Sequence, residues 1–187
     1  MIGGLYALPA FVDFNDRLAV GESTTDRDGP FTGLTMTSGT IRLAYFTARR
    51  SETCTRIRAQ VGATGAGATP TLCKLGAYLV ASNGDLSLIG ATANNTALFN
   101  TSGAVVDEAT AASYDKIAGQ RYAVAAICVS GATMPTLVGI SSGLHGSELA
   151  QSPRRTGLLS GQTDLPSSIS AGSISVSTSW LWAVLTP

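Results

Sequence analysis

From residue 37 onward, apolar and polar positions alternate with a period of two, the spacing of side chains on a half-buried strand. Residues 39–49, GTIRLAYFTAR, put Ile41, Leu43 and Tyr45 on one face and Arg42, Ala44 and Phe46 on the other. Residues 53–61, TCTRIRAQV, set Ile57, Ala59 and Val61 opposite Cys54, Arg56 and Arg58. A glycine-rich turn, GATGAGATP, leads into a third strand at 72–81, LCKLGAYLVA. The Asn-Gly of SNGD at 82–85 predicts a hairpin, with LSLIGA at 86–91 as the returning strand. Residues 120–130, QRYAVAAICVS, are apolar on both faces from Tyr122 to Val129. Such a strand needs two covers, one from the sandwich core and one from elsewhere, a neighbouring subunit being one source. TLVGIS at 136–141 and SISVSTSWLWAVL at 173–185 complete the set, the latter with Trp180 and Trp182 on one side.

The intervals carry less pattern. Residues 92–120 read as a long connection, with helix limited to short pieces around 100–118. Residues 142–173, rich in Ser, Gly and Pro, read as long loops. Residues 1–35 show little alternation, and Tyr6, Leu8, Phe11 and Phe14 could anchor them on their own domain or on another surface. About seven or eight strands at this spacing predict an all-β fold, a β-sandwich with the jelly roll as one form of it. The expected organisation is an extended N-terminal arm at 1–35 and a sandwich domain at 36–187.

Composition narrows the function classes. Charged residues are 13% of the chain, about half the usual share, and twelve basic residues balance twelve acidic ones. No field is available to neutralise phosphates, so nucleic acid is not an expected partner. No apolar run approaches the roughly 20 residues of a membrane-spanning helix, and the first residues lack the basic and apolar regions of a secretory leader. Lysine occurs only at Lys74 and Lys116. A neutral surface of small residues suits a protein packed into a larger assembly.

Candidate chemistry is sparse. Cys54, Cys73 and Cys128 have no C-x-x-C spacing, so a zinc ribbon is not expected. Cys54 and Cys73 flank the glycine-rich turn; a disulfide between them is one reading, and buried reduced thiols are the preferred one. His145 is the sole histidine, and no G-x-S-x-G elbow accompanies it. DRDG at 26–29 reads as a turn, since the remaining ligands of a calcium loop are missing. Asp107 and Glu108 are adjacent, so on a strand they face opposite ways. Asn94 and Asn100 match glycosylation sequons. Arg42, Arg56 and Arg58 form either a basic stripe for an anionic partner or a solvated face with local ion pairs. Trp180 and Trp182 form either a sugar platform or core. No catalytic, cofactor-binding or metal-binding residue is assigned, no cofactor is implied, and no enzyme is expected. Two non-catalytic surfaces remain. Tyr122, Val124, Ile127 and Val129 are the expected face of a homo-oligomer, a trimer being favoured. The loop carrying His145, Glu148, Arg154 and Arg155 is expected to meet a receptor or to interlock subunits.

The stretches at 37–99 and 114–140 resemble a β-sandwich module of minor tail proteins from phages of mycobacteria and related actinobacteria. The resemblance rests on an order of short strings: Thr-Pro-Thr-Leu at 69–72, the Asn83-Gly84 hairpin, Ala-Gly-Gln-Arg-Tyr-Ala-Val at 118–124 and Pro-Thr-Leu at 135–137. It implies a virion structural component at the tail tip or particle surface, with other virion proteins and a host cell-wall glycan as partners. It implies no catalytic residues. Members often have longer N-terminal regions for tail attachment, so a capsid-surface decoration role stays open. A carbohydrate-binding module or enzyme on the same fold is the alternative from another class.

Overall fold

The computed structural model describes residues 22–24, 31–67, 70–141 and 154–187. They form thirteen strands and one 3-10 turn at Ala171–Ser173, all strand pairs being antiparallel. A six-stranded sheet runs in the order β10 (Thr156–Leu159), β3 (Ile41–Thr47), β8 (Arg121–Ser130), β5 (Pro70–Val80), β6 (Leu86–Ala91), β11 (Ser168–Ile169). A four-stranded sheet has the order β1 (Glu22–Ser23), β13 (Ala183–Thr186), β4 (Glu52–Gln60), β7 (Val105–Lys116). A three-stranded sheet has the order β12 (Ser179–Leu181), β9 (Thr136–Ser141), β2 (Phe31–Thr35). Bridges from Val61 to Leu137 and from Trp182 N–H to the Val138 carbonyl join the two smaller sheets at a corner. The fold is all-β and sandwich-like, and no helix among the described residues is long and apolar enough to cross a membrane.

Period-two patterning places two cores on the two faces of the six-stranded sheet. Ala44, Cys73, Leu75, Ala77, Val124, Ala126 and Cys128 face the smaller sheets, meeting Ile57, Ala59, Leu137, Leu181, Ala183 and Leu185. Ile41, Leu43, Tyr45, Tyr78, Ala123, Ala125 and Ile127 face the other way. That second face is covered by the chain's own residues 160–174, through Leu165, Ile169 and Ile174, with Leu159 alongside.

The cover sits where the sheet makes room. A Cβ on Gly76 would come within 2.7 Å of Leu165 Cδ1, and one on Gly157 within 2.5 Å of Ile174 Cγ2. Polar bonds ring the apolar contact. Lys74 Nζ meets both oxygens of Asp164 at 2.8 and 2.9 Å, Tyr78 donates its hydroxyl to the Pro166 carbonyl, and Ala171 N–H donates to Asp85 Oδ1. The Pro166 carbonyl and the Ala171 N–H of the cover are thereby satisfied.

This arrangement corrects the oligomer face. Val124 lies in the first core and Ile127 in the second, both wholly buried within one chain. Tyr122 is buried against Phe46, ring centroids 6.0 Å apart, and Val129 packs on the second core. The two covers that β8 demands both come from the same molecule, so its apolar faces give no reason for a trimer.

Other expectations divide along physical lines. The hairpin forms as predicted, with Gly84 at φ +88° and Asn83 bonded to Asp85. The faces of β3 agree with its sequence pattern. On β4 the alternation breaks at a register shift between Cys54 and Arg56, which brings Cys54 into the same core as Ile57. Residues 105–116 are strand β7, where short helical pieces were expected. It is an edge strand with only Tyr114 and Lys116 fully buried, so its alternation is weak. The closing segment at 173–185 splits into β12 and β13, which belong to different sheets. Within 1–35, the described Glu22–Ser23 and Phe31–Thr35 pair with β13 and β9 of the same chain.

Replacing Ile174 by Ala removes a side chain from the second core and is expected to cost about 2–4 kcal/mol in urea unfolding. Val176, two residues on and 56% exposed, is expected to change stability by no more than about 0.5 kcal/mol when replaced by Ala. Equal effects at the two positions would contradict the cover.

Candidate functional site

Three groups of charged side chains come together. The first lies on the outer face of the four-stranded sheet. Arg58 of β4 is the register partner of Asp107 on β7, and Arg56 lies two residues away on the same face. Arg56 Nε reaches Asp107 Oδ1 at 2.8 Å, and Arg58 Nη2 reaches Oδ2 at 2.5 Å. Burial pushes the Asp107 carboxyl up, but hydrogen bonds and charge from the two guanidinium groups outweigh it and hold the group below its ordinary value. Arg42 takes no part. It belongs to the six-stranded sheet and donates to the Thr35 carbonyl at 2.5 Å. The three-arginine stripe is therefore not assembled, and its two remaining members form local ion pairs.

The second group is buried. Lys116, at the end of β7, is wholly inaccessible; its Nζ donates to Glu22 Oε2 and forms an ion pair with Glu52 Oε1 at 2.9 Å. Glu52 is its register partner on β4. The other oxygen of Glu22 accepts the Arg49 backbone N–H at 2.6 Å, and the other oxygen of Glu52 meets Arg50 Nε at 3.0 Å. A buried ammonium is tolerated only with such partners. No sequence signal marks this trio beyond the position of Lys116 two residues after Tyr114, which puts both on one strand face; Glu22 and Glu52 are distant in the chain.

The third group lies where β10 begins. Arg154 Nη1 donates to the Ile174 carbonyl at 2.7 Å, and the Arg154 carbonyl accepts from Arg121 Nη2 at 2.5 Å. Arg154 is thus a fastener of the cover. Arg155 is exposed and its guanidinium stands 5.4 Å from the Trp180 ring centroid. Trp180 is half-buried against the first core, whereas Trp182 is 2% exposed, so the two do not make a joint sugar platform. His145 and Glu148 lie outside the described residues, as does the DRDG turn.

The remaining candidates are occupied structurally. Glu108 accepts from Asn95 Nδ2 at 2.9 Å, apart from Asp107 and its arginines. The Asn94 side chain bridges the Thr71 carbonyl and the Cys73 N–H. Cys54, Cys73 and Cys128 are free and buried. Among the described residues, no three His, Cys, Asp or Glu side chains are placed to hold a metal ion. A scan against protein-family models finds no match, and a search of curated proteins finds no relative.

Two predictions follow from these ion pairs. Lys116→Met leaves two carboxylates facing a buried, uncompensated site and is expected to cost about 3–5 kcal/mol in chemical unfolding; adding Glu22→Gln and Glu52→Gln should recover part of the loss. For Asp107, the folded value lies below the unfolded one. Its stabilisation is present above the ordinary carboxylate value, about pH 4, and is lost as pH falls through the folded value. Asp107→Asn should therefore be less stable than the parent at pH 7, with the gap closing towards pH 2. A gap independent of pH would show that the arginine pairs contribute nothing.

Proposed function

We propose that this chain is a structural protein of a bacteriophage virion, a minor tail or tail-tip component that meets the host surface and works among other virion proteins. The observation that carries the reading is the use made of charge. The assembled ion pairs hold strand to strand within the four-stranded sheet and cover to sheet: Lys116 with Glu22 and Glu52, Asp107 with Arg56 and Arg58, and Lys74 with Asp164. These are braces of a scaffold, each acidic oxygen directed at a cation or an N–H. The order of strings at 69–72, 83–84, 118–124 and 135–137 supports the same reading.

Host contact is assigned to the β9–β10 connection, which carries His145 and Glu148 and ends at Arg154 and Arg155. Loops vary while strands hold the scaffold, so recognition concentrates there. A cell-wall glycan is the expected ligand class. Arg155 is exposed and already stacked on Trp180, a cation held over an aromatic face at low ordering cost. Any assembly with further copies uses surfaces other than the faces of β8.

The test is made on particles. Antibody labelling of purified virions should place the chain on the tail; label on the capsid shell would favour decoration, and absence of the chain from particles overturns the reading. Arg155→Ala should leave folding and assembly intact and slow host adsorption several-fold. Assembly lost with adsorption would make the loop an interlock between subunits. Unchanged adsorption with intact assembly would remove the receptor role.

A further inference from the structure

The cysteines carry chemistry that the scaffold does not use. Cys73 on β5 and Cys128 on β8 are direct register partners, and their sulfurs are 3.4 Å apart in the first core. Antiparallel strands alternate two kinds of opposed pair, and only one brings side chains close. The backbone identifies which kind this is. Cys73 donates its N–H to Asn94 Oδ1 at 3.0 Å and accepts at its carbonyl from Asn95 N–H at 3.1 Å. The Cys128 carbonyl accepts from Gly39 N–H at 3.0 Å. These backbone groups point away from the space between β5 and β8. The two residues therefore form a non-hydrogen-bonded pair, with Cα atoms about 4.5 Å apart, inside the span of about 4.4–6.8 Å that a disulfide bridges.

We propose that Cys73 and Cys128 are a cross-strand disulfide site, closed when the chain folds in contact with a small-molecule disulfide and open when it folds in a reducing compartment. Cys54 is not a member of the pair, although it lies in the same core. It stands on β4 in the opposing sheet beside Tyr114, its register partner. Closure needs the sulfurs to move from 3.4 Å to about 2.05 Å, a change that side-chain rotation on two adjacent strands supplies without breaking the ladder.

The reaction is thiol–disulfide exchange. One cysteine thiolate attacks a sulfur of the small disulfide, forming a mixed disulfide and releasing one thiolate. The second cysteine thiolate attacks the protein-bound sulfur and releases the other. Two cysteine thiols and one disulfide become one protein disulfide and two small thiols, and the two protons pass to the leaving thiolates. In the folded chain the hydrogen bond from Cys73 to Cys128 raises the first thiol and lowers the second. Both sulfurs belong to wholly buried residues, so exchange takes place during folding or through opening of the sandwich. The bond would tie two strands at the centre of the six-stranded sheet and close a loop between residues 55 apart in sequence.

The test uses the whole chain. Reduced protein is unfolded, refolded with oxidised and reduced glutathione, alkylated and digested with trypsin. Cys54, Cys73 and Cys128 then fall in separate peptides, 51–56, 59–74 and 122–154. The expected product links 59–74 to 122–154, with 51–56 alkylated. The oxidised chain should unfold at higher urea than the reduced chain, and Cys54→Ser should leave both results unchanged. A link involving Cys54 overturns the assignment. So does full alkylation of all three cysteines in protein that has regained its native circular dichroism. Because the primary readout is made on the unaltered chain, it does not depend on whether Cys73→Ser or Cys128→Ser folds.

Discussion

The structure depends on covering both faces of β8. From Tyr122 to Cys128 every residue of this strand is buried, and it lies inside the six-stranded sheet between β3 and β5. A central strand without a polar face cannot border water, so the sheet that contains it must be the middle of three layers. One outer layer is built from the two smaller sheets. The other is no separate sheet but residues 160–174, a mostly irregular cover that includes the short edge strand β11, and its few large apolar side chains are each worth about 1.5–3 kcal/mol when removed from water. That asymmetry accounts for much else: why Gly76 and Gly157 stand under the cover, and why Lys74, Tyr78, Asp85 and Arg154 all spend their polar groups along its rim.

Charge in this molecule is scarce, and among the described residues it is used mostly as fastening. The buried ammonium of Lys116 is the extreme case. It draws Glu22 of β1 and Glu52 of β4 to one point, so a residue near the start of the chain is tied to an edge strand far along it. Such a trio adds little net stability over apolar packing, since desolvation consumes most of the attraction, but losing one partner is costly. It fixes which segments meet. Asp107 does the same on the solvent side of that sheet at lower stakes.

The cysteines show how topology overrides proximity in sequence. Cys54 and Cys73 flank one turn, and that spacing leaves a pairing between them open as one reading, with buried reduced thiols preferred. The turn is instead a crossover, because β4 belongs to the four-stranded sheet and β5 to the six-stranded sheet. Residues on either side of it face each other across the core rather than side by side. The neighbour of Cys73 is supplied by β8, 55 residues later. For the same reason Arg42 and Arg56, on strands consecutive in sequence, never share a face.

What the sequence determined by itself is the local periodicity and its immediate consequences. The alternation in β3, the boundaries of β6 and β9, the Asn83-Gly84 hairpin and the double apolarity of β8 were all legible, because each depends on side chains within a few residues of one another. It also required that β8 be covered twice. The tertiary structure alone decided what does the covering. Residues 154–175 are rich in small and polar residues, and Leu165, Ile169 and Ile174 are spaced irregularly, so no period announces them as core. The edge strand β7 was hidden likewise: with one face open to water and little buried, its residues obey no strict alternation. Ion trios and cysteine pairs were out of reach because their members sit on strands whose adjacency is set by sheet order, a non-local choice that no window of sequence contains.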